Sequence, residues 1–226
     1  MVTMATSGSG KGPSAPAVAK DSAYDKLKAA ILDGTLAAGA ALVESSVAEW
    51  CGVSRTPVRE ALTRLEHDGL ITRSDRGLVV RERSPEEILD IYEVRIVLEA
   101  AAARLAAERH TKFDLIRLER LIRRGEEIDP DPDAMADYNR EFHRAVWQAA
   151  RNEALLDVLS RLNLHLVRYP VTTLSYPGRW KQALLEHRQL VDAITDRDAS
   201  KAAEVARVHF TEARDVRLRL WEQDLA

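Results

Sequence analysis

The chain of 226 residues contains 46% apolar and 31% charged residues, which excludes full disorder and is typical of a globular protein of one or two domains. Its formal net charge of −3 excludes a polycation that coats nucleic acid by charge alone. No apolar run is long enough to span a membrane, and the single cysteine, Cys51, permits no internal disulfide. Residues 1–20 lack the hydrophobic core of a signal peptide and are predicted to be a flexible tail. We therefore expect a cytoplasmic protein with no membrane partner.

Residues 21–83 are predicted to form a winged helix-turn-helix domain. Two amphipathic segments, a glycine turn at 52–54 and a third amphipathic segment are followed by two β-rich runs around a turn that contains Gly77. This order of elements is that of a DNA-reading module. The predicted helices span 21–32, 45–51 and 55–68, and the predicted strands span 70–73 and 78–81.

Polar side chains mark the start of the third predicted helix, the end that enters the major groove in such modules. They are Arg55, Thr56 and Arg59. An arginine can donate two hydrogen bonds to guanine O6 and N7, and Arg76 at the tip of the predicted wing could contact the minor groove or the DNA backbone. The alternative is that these arginines form an ordinary solvated helix face, and the residue types alone leave both interpretations open.

Residues 84–226 are predicted to form an all-α six-helix bundle, so that the fold class is mainly α. This region is rich in strong helix formers, and its prolines separate long periodic segments. The predicted helices span 85–108, 112–128, 133–150, 153–169, 178–196 and 199–222.

Several polar side chains lie on apolar faces of these helices. Arg95 is in the middle of one such face, and a buried guanidinium needs an anionic partner. That partner is either Glu99, one turn later, or the carboxylate of a ligand. His143, His187 and His209 lie on apolar faces of three separate helices. Because neutral imidazole is a common metal ligand, their convergence predicts a divalent metal site, with Zn²⁺ as the first choice and Ni²⁺ or Mn²⁺ as alternatives.

The run GVSRTPVREAL at 52–62, with Leu65–Glu66 and DGLI at 68–71, resembles the GntR family of bacterial transcription regulators. The resemblance covers roughly residues 22–83. It implies a homodimer that reads a short palindromic operator in double-stranded DNA. Ser45 departs from members that carry an arginine at this position, and a DNA contact there would be weaker or lost. The DNA-binding residues implied by the resemblance are Arg55, Thr56, Arg59, Arg76 and Gly77.

The helical region resembles the FCD domain, the effector-binding and dimerisation domain of the FadR branch of the GntR family. The resemblance rests on YEVR at 92–95, EFH at 141–143, EH at 186–187 and His209. With six predicted helices the region is most similar to the VanR-like subgroup. In metal-binding members, the three histidines act together with an aspartate one turn before the first of them. That position is Asn139 here.

Asn139 leaves two hypotheses for the pocket. Asn139 and His143 are four residues apart on one helix face and could still chelate together, although an amide oxygen is a weaker donor than a carboxylate. In the first hypothesis, these two residues bind a metal with His187 and His209, and Arg95 orients a carboxylate effector. In the second, the pocket holds no metal and the same groups hydrogen-bond the effector directly. Residues 163, 168 and 169 are weaker candidates for the cavity wall.

Together these features predict a ligand-responsive transcriptional regulator, most simply a repressor, rather than an enzyme. We expect a small carboxylate to alter the docking of the first bundle helix and, through residues 81–85, the spacing of the recognition helices. A metal hydrolase is an alternative, but no general acid or base accompanies the histidines at a telling spacing. A non-specific architectural DNA binder would leave the pocket unexplained and fits poorly with the negative net charge.

Overall fold

A computed structural model describes residues 22–129, 131–167 and 172–224. The predicted tail over residues 1–20 lies outside these ranges. The described chain is mainly helical, as predicted, with a two-stranded antiparallel wing. Its elements are α1 (Ala23–Leu32), α2 (Glu44–Cys51), α3 (Arg55–His67), β1 (Ile71–Ser74), β2 (Gly77–Val80), α4 (Pro85–Arg109), α5 (Lys112–Glu127), α6 (Pro132–Ala149), α7 (Glu153–Val167), a 3₁₀ turn (Thr173–Ser175), α8 (Arg179–Thr195) and α9 (Ala199–Asp224).

Local signals in the sequence account for the ends of the N-terminal helices. The Ser22 hydroxyl caps α1 by accepting from the backbone N–H of Asp25 at 3.2 Å. Gly52 ends α2 with a left-handed φ of 68°, a conformation that glycine adopts without the steric cost of a Cβ. The apolar faces of α1, α2 and α3 meet the inner side of the wing in one buried cluster.

The wing contains one pairing that the sequence pattern did not predict. Residues 39–42 run along the outer edge of β2, where Leu42 N–H donates to the Leu78 carbonyl at 2.8 Å and Val80 N–H donates to the Ala40 carbonyl at 2.9 Å. Only an isolated bridge, Ala41 to Val79, forms there. Such a short pairing leaves no strand-like alternation in the sequence, so the segment resembles a loop. It ties the wing to the connection between α1 and α2.

The six helices α4–α9 confirm the predicted bundle, and their bounds agree with the predicted ones to within two residues wherever the chain is described. The predicted end of α7 at residue 169 lies outside the described residues. Ser84 and Glu87 form a capping box that starts α4, with Pro85 in the first turn. Helix α4 packs along α9 and also contacts α6, α7 and α8. This central position brings the polar faces of α4, α6, α8 and α9 toward one another.

Each part of the chain has its own main apolar cluster. One lies inside α1–α3 and the wing, and the other joins α4, α5, α6, α8 and α9. Leu164 of α7 packs against the first cluster and so connects the parts. No helix within the described ranges is both long and apolar enough to cross a membrane.

Candidate functional site

The start of α3 presents the three predicted DNA-contacting side chains to solvent. Arg55, Thr56 and Arg59 are all exposed. Ser54 has an extended N-cap backbone but makes no side-chain capping hydrogen bond. The Arg59 Nε donates to Glu44 Oε2 at 2.7 Å, an exposed ion pair between the first turn of α2 and the second turn of α3.

The predicted wing residues lie at the turn between β1 and β2. Arg76 and Gly77 are both exposed, and Gly77 has a φ of 96° with nothing near the position that a Cβ would occupy. The Ser74 hydroxyl accepts from the Arg76 N–H and donates to the Gly77 carbonyl, both at 3.2 Å. The turn is therefore held by its own hydrogen bonds and leaves the Arg76 side chain on the surface.

The three predicted metal-ligating histidines converge in the helical region. His143 comes from α6, His187 from α8 and His209 from α9, and all three are buried. One side-chain nitrogen from each lies within 4.8 Å of the others. The Phe142 ring stacks on His187 with centroids 3.9 Å apart, which holds that imidazole in place.

Burial leaves polar atoms of this cluster without hydrogen-bond partners in the described chain. They are Asn139 Oδ1, His143 Nε2 and both ring nitrogens of His187. An unpaired buried polar group is costly, so such a group in a folded protein indicates a missing partner. An amide oxygen and three imidazoles are a donor set that suits Zn²⁺ and other divalent cations. The residues present therefore fit a metal ion.

The electrostatic surroundings keep the histidines in the neutral form that metal binding requires. Burial, followed by the adjacent imidazoles, holds the pKa of His143 well below its usual range. Burial, followed by the His209 ring and the Arg179 charge, does the same for the pKa of His187. Burial also lowers the pKa of His209, although a hydrogen bond to Glu186 opposes the shift.

Arg95 pairs with Glu99, one of the two partners that the sequence left open, and it also borders a cavity. Its Nη2 donates to Glu99 Oε1 at 2.8 Å, in an ion pair whose side chains are 7% and 2% exposed. The second oxygen of Glu99 accepts from Trp147 Nε1 at 2.6 Å. The Arg95 guanidinium also lies 4.7 Å from the centre of the Phe210 ring and lines a cavity. The pair with Glu99 therefore positions Arg95 at the cavity wall.

Sequence reasoning missed a second buried ion pair beside the histidines. Arg179 Nη1 lies 2.8 Å from Glu186 Oε2, and both side chains are buried. The same Glu186 oxygen accepts from His209 Nδ1 at 2.6 Å. A signal existed in the sequence, since Glu186 directly precedes His187. Arg179 gave no such signal, because the direction in which the first side chain of a helix points depends on how that helix docks.

A cavity of about 110 Å³ lies next to this cluster. Three buried arginines, Arg95, Arg179 and Arg217, line it, and Asn139 and His209 connect it to the predicted metal ligands. Asn163 also lines the cavity, while Arg168 and Tyr169 lie outside the described residues. The wall thus combines fixed positive charge with hydrogen-bonding groups.

Family comparisons match both parts of the chain. The model for bacterial regulatory proteins of the gntR family matches residues 19–80, and the FCD domain model matches residues 90–212. The chain belongs to the GntR family of bacterial regulators and carries an FCD domain. The winged helix-turn-helix therefore serves DNA binding and the helical region serves effector binding in this GntR-family regulator.

Relatives of known name agree with this assignment. The chain is 29% identical to an uncharacterized HTH-type transcriptional regulator, YdhC, of Bacillus subtilis, over 83% of this chain and 85% of that protein. It is 30% identical to an uncharacterized HTH-type transcriptional regulator, BphR, of Paraburkholderia xenovorans, over 84% and 81%. The solved structure of McbR/YncC of E. coli has the same fold, with a TM-score of 0.70, 24% identity and coverage of 92% of this chain and 98% of that one.

Proposed function

We propose that this GntR-family regulator is a homodimeric repressor whose affinity for a palindromic operator is controlled by a small carboxylate effector bound beside a divalent metal. The observation that carries the proposal is the buried cluster of three histidines, with an unpartnered Asn139 oxygen, beside an arginine-lined cavity. We further assign the chain to the FadR branch and its VanR-like subgroup. The six helices α4–α9 of the described chain support that assignment.

In this proposal Asn139, His143, His187 and His209 hold the metal ion, with Zn²⁺ as the first choice. When bound, the ion would supply positive charge that attracts an oxygen of an anionic effector. The four side chains carry no negative charge while the histidines are neutral. An anionic effector therefore meets a strongly positive site.

The cavity wall supports a carboxylate as the effector. Arg95 and Arg179 each offer a planar guanidinium, a group suited to bidentate pairing with a carboxylate. Both are already held by buried glutamates, so they are oriented before the effector arrives. This preorganisation lowers the entropic cost of binding.

On the DNA side, we assign base and phosphate contacts to the N-terminal part of α3 and backbone or minor-groove contacts to the wing. The exposure of the predicted residues supports the assignment. Glu44 holds Arg59 in the free protein, and that exposed pair is weak enough for a phosphate to displace the carboxylate. The DNA-contacting residues of the proposal are Arg55, Thr56, Arg59, Arg76 and Gly77.

Two contacts can pass a change at the cavity to the DNA-binding domain. The first is the route that the sequence suggested, through α4, because Arg81 Nη2 bonds Glu87 in the first turn of α4 at 2.6 Å. The second contact is made by one turn of α7, which reaches both the cavity and the DNA-binding domain. Asn163 lines the cavity, while His165 packs so closely on Gly69 that a Cβ there would lie 3.2 Å from the ring. An effector that shifts α7 would therefore move the base of the wing.

Testing this proposal requires the operator sequence first. Binding sites are selected from random duplex DNA with the full chain, and affinity is then measured by fluorescence anisotropy with Zn²⁺ and a panel of small mono-, di- and hydroxycarboxylates. We expect one class of acid to change operator affinity by at least tenfold, and light scattering to show a dimer. Constant affinity across the panel, with and without Zn²⁺, would contradict the proposal.

Arg55→Ala is the matched test of the DNA surface, with Arg104→Ala as its control. Arg104 is exposed on α4 and pairs with Glu108, so its loss removes one positive charge at a site away from α3. We expect the first variant to lose operator affinity and the second to retain it. Equal losses would point to non-specific charge attraction in place of the proposed contacts.

A further inference from the structure

The proposed metal site offers a divalent cation no negatively charged ligand. Its four donors, Asn139, His143, His187 and His209, are all uncharged when the imidazoles are neutral. Direct ligation would leave both positive charges of the ion without a neutralising group in contact with it, inside a buried region. Such a charge is costly unless a buried anion lies close by.

Glu186 is the buried carboxylate that contacts this cluster within the described chain. His209 Nδ1 lies 2.6 Å from Glu186 Oε2, the length of a strong charge-assisted hydrogen bond, and because a carboxylate oxygen can only accept, the proton belongs on Nδ1. The other buried carboxylate of the described residues, Glu99, instead bonds Arg95 and Trp147. The two glutamates are therefore used differently, one by the cavity wall and one by a histidine.

The remaining contacts hold the Glu186 carboxylate in a fixed position. Arg179 lies 2.8 Å from its Oε2, and Gln182 Nε2 donates to its Oε1 at 3.1 Å. A carboxylate locked in this way cannot swing to bind a metal without giving up its other partners.

We propose that Glu186 is a positioning residue that supplies, from behind His209, the negative charge that Asn139 does not supply in direct contact with the metal. Its hydrogen bond fixes His209 as the Nδ1–H tautomer, which leaves Nε2 as the electron-pair donor and makes the ring a stronger ligand. Arg179 joins the same carboxylate to the effector cavity. This inference rests on the metal site of the proposed function.

Zn²⁺ affinity of the full chain tests the inference, measured by competition with a chromophoric chelator. We expect Glu186→Gln to weaken Zn²⁺ binding about 10- to 100-fold, the range found for lost partners of ligating histidines. The double variant also carries Asn139→Asp, which adds a carboxylate to the ligand set. We expect it to recover most of the lost affinity. Glu204→Gln removes an exposed carboxylate on α9 and is the charge control, with affinity unchanged.

The His209 tautomer gives a second readout that needs neither metal nor a variant. Nitrogen-15 correlation spectra of the metal-free protein should show His209 protonated at Nδ1 and bare at Nε2. A ring protonated at Nε2 would overturn the inference. If the wild type binds Zn²⁺ and the affinity of Glu186→Gln lies within twofold of the wild-type value, the inference is overturned but the metal site is retained. A wild type that binds no Zn²⁺ would overturn both the inference and the metal part of the proposed function.

Discussion

The two parts of the chain treat charged side chains in opposite ways. Within the described residues, the DNA-binding part buries apolar side chains only, and its ion pairs, such as Arg73–Glu66, lie on the surface. The described residues of the helical part include nine buried polar or charged side chains. They are Arg95, Glu99, His110, His143, Arg179, Glu186, His187, His209 and Arg217.

The difference follows from the size of what each part binds. A DNA duplex is far larger than the domain, so its phosphates are met by arginines on an outer surface. A small molecule must be enclosed to be recognised, which requires polar groups inside the protein. Burying them is costly, and the helical part offsets that cost by pairing each of two buried arginines with a buried glutamate.

The largest expected effect distinguishes a buried ion pair from an exposed one. Glu99→Ala leaves Arg95 buried without its partner and should lower the free energy of unfolding by about 3–5 kcal/mol. Glu66→Ala breaks the pair with Arg73, whose side chains are 33% and 76% exposed, and should cost about 0–1 kcal/mol. Urea unfolding followed by circular dichroism measures both. Similar losses for the two variants would remove the contrast between the regions.

The next effect concerns operator binding. Arg55→Ala removes an exposed arginine at the start of α3 and should weaken operator binding by about 1–3 kcal/mol without lowering stability. The affinity of the selected operator, measured by anisotropy at fixed salt, checks this. Loss of stability in place of affinity would show that the α3 surface is structural.

A pH dependence should be confined to the helical part. The unfolded chain protonates its histidines near their ordinary pKa of about 6.5, whereas burial keeps the pKa of His187 well below that value. The unfolded state then binds more protons, so stability falls as pH falls below about 6.5, by up to about 1.4 kcal/mol per pH unit for one such histidine.

His187→Leu should flatten this slope by about one proton, and His67→Gln should not, because His67 is exposed in the DNA-binding part. Urea unfolding of chelator-treated protein between pH 7.5 and 5.5 measures the slopes. If the His67 variant flattened the slope as much, the pH dependence would not come from the buried cluster.

The smallest effect lies on the DNA-binding surface. Glu44→Gln releases Arg59 from its exposed carboxylate partner and removes a negative charge near the phosphates. Operator affinity should rise by less than about 1 kcal/mol. The control is Glu66→Gln, which leaves Arg59 paired. A loss of affinity in Glu44→Gln would mean that the pair holds Arg59 in its DNA-contacting position.

Much of the architecture was predictable because its signals are local. The glycine turn at residue 52, the capping residues before α4 and the 3.6-residue period set the helix bounds to within a few residues. The pairing of residues 39–42 with β2 was not predictable, because a single bridge leaves no alternation in the sequence. The boundaries of the two domains and the roles of the site residues remain predictions.

By itself, the sequence determined which residues lie on which helix face, and so it indicated His143, His187, His209 and Arg95 as inward-facing polar groups. Only the tertiary structure decided that the three imidazoles meet within 4.8 Å, that Arg95 both pairs with Glu99 and lines the cavity, and that Glu186 bonds His209. The physical reason is that periodicity is a property of one helix, whereas a hydrogen bond between helices depends on how they dock.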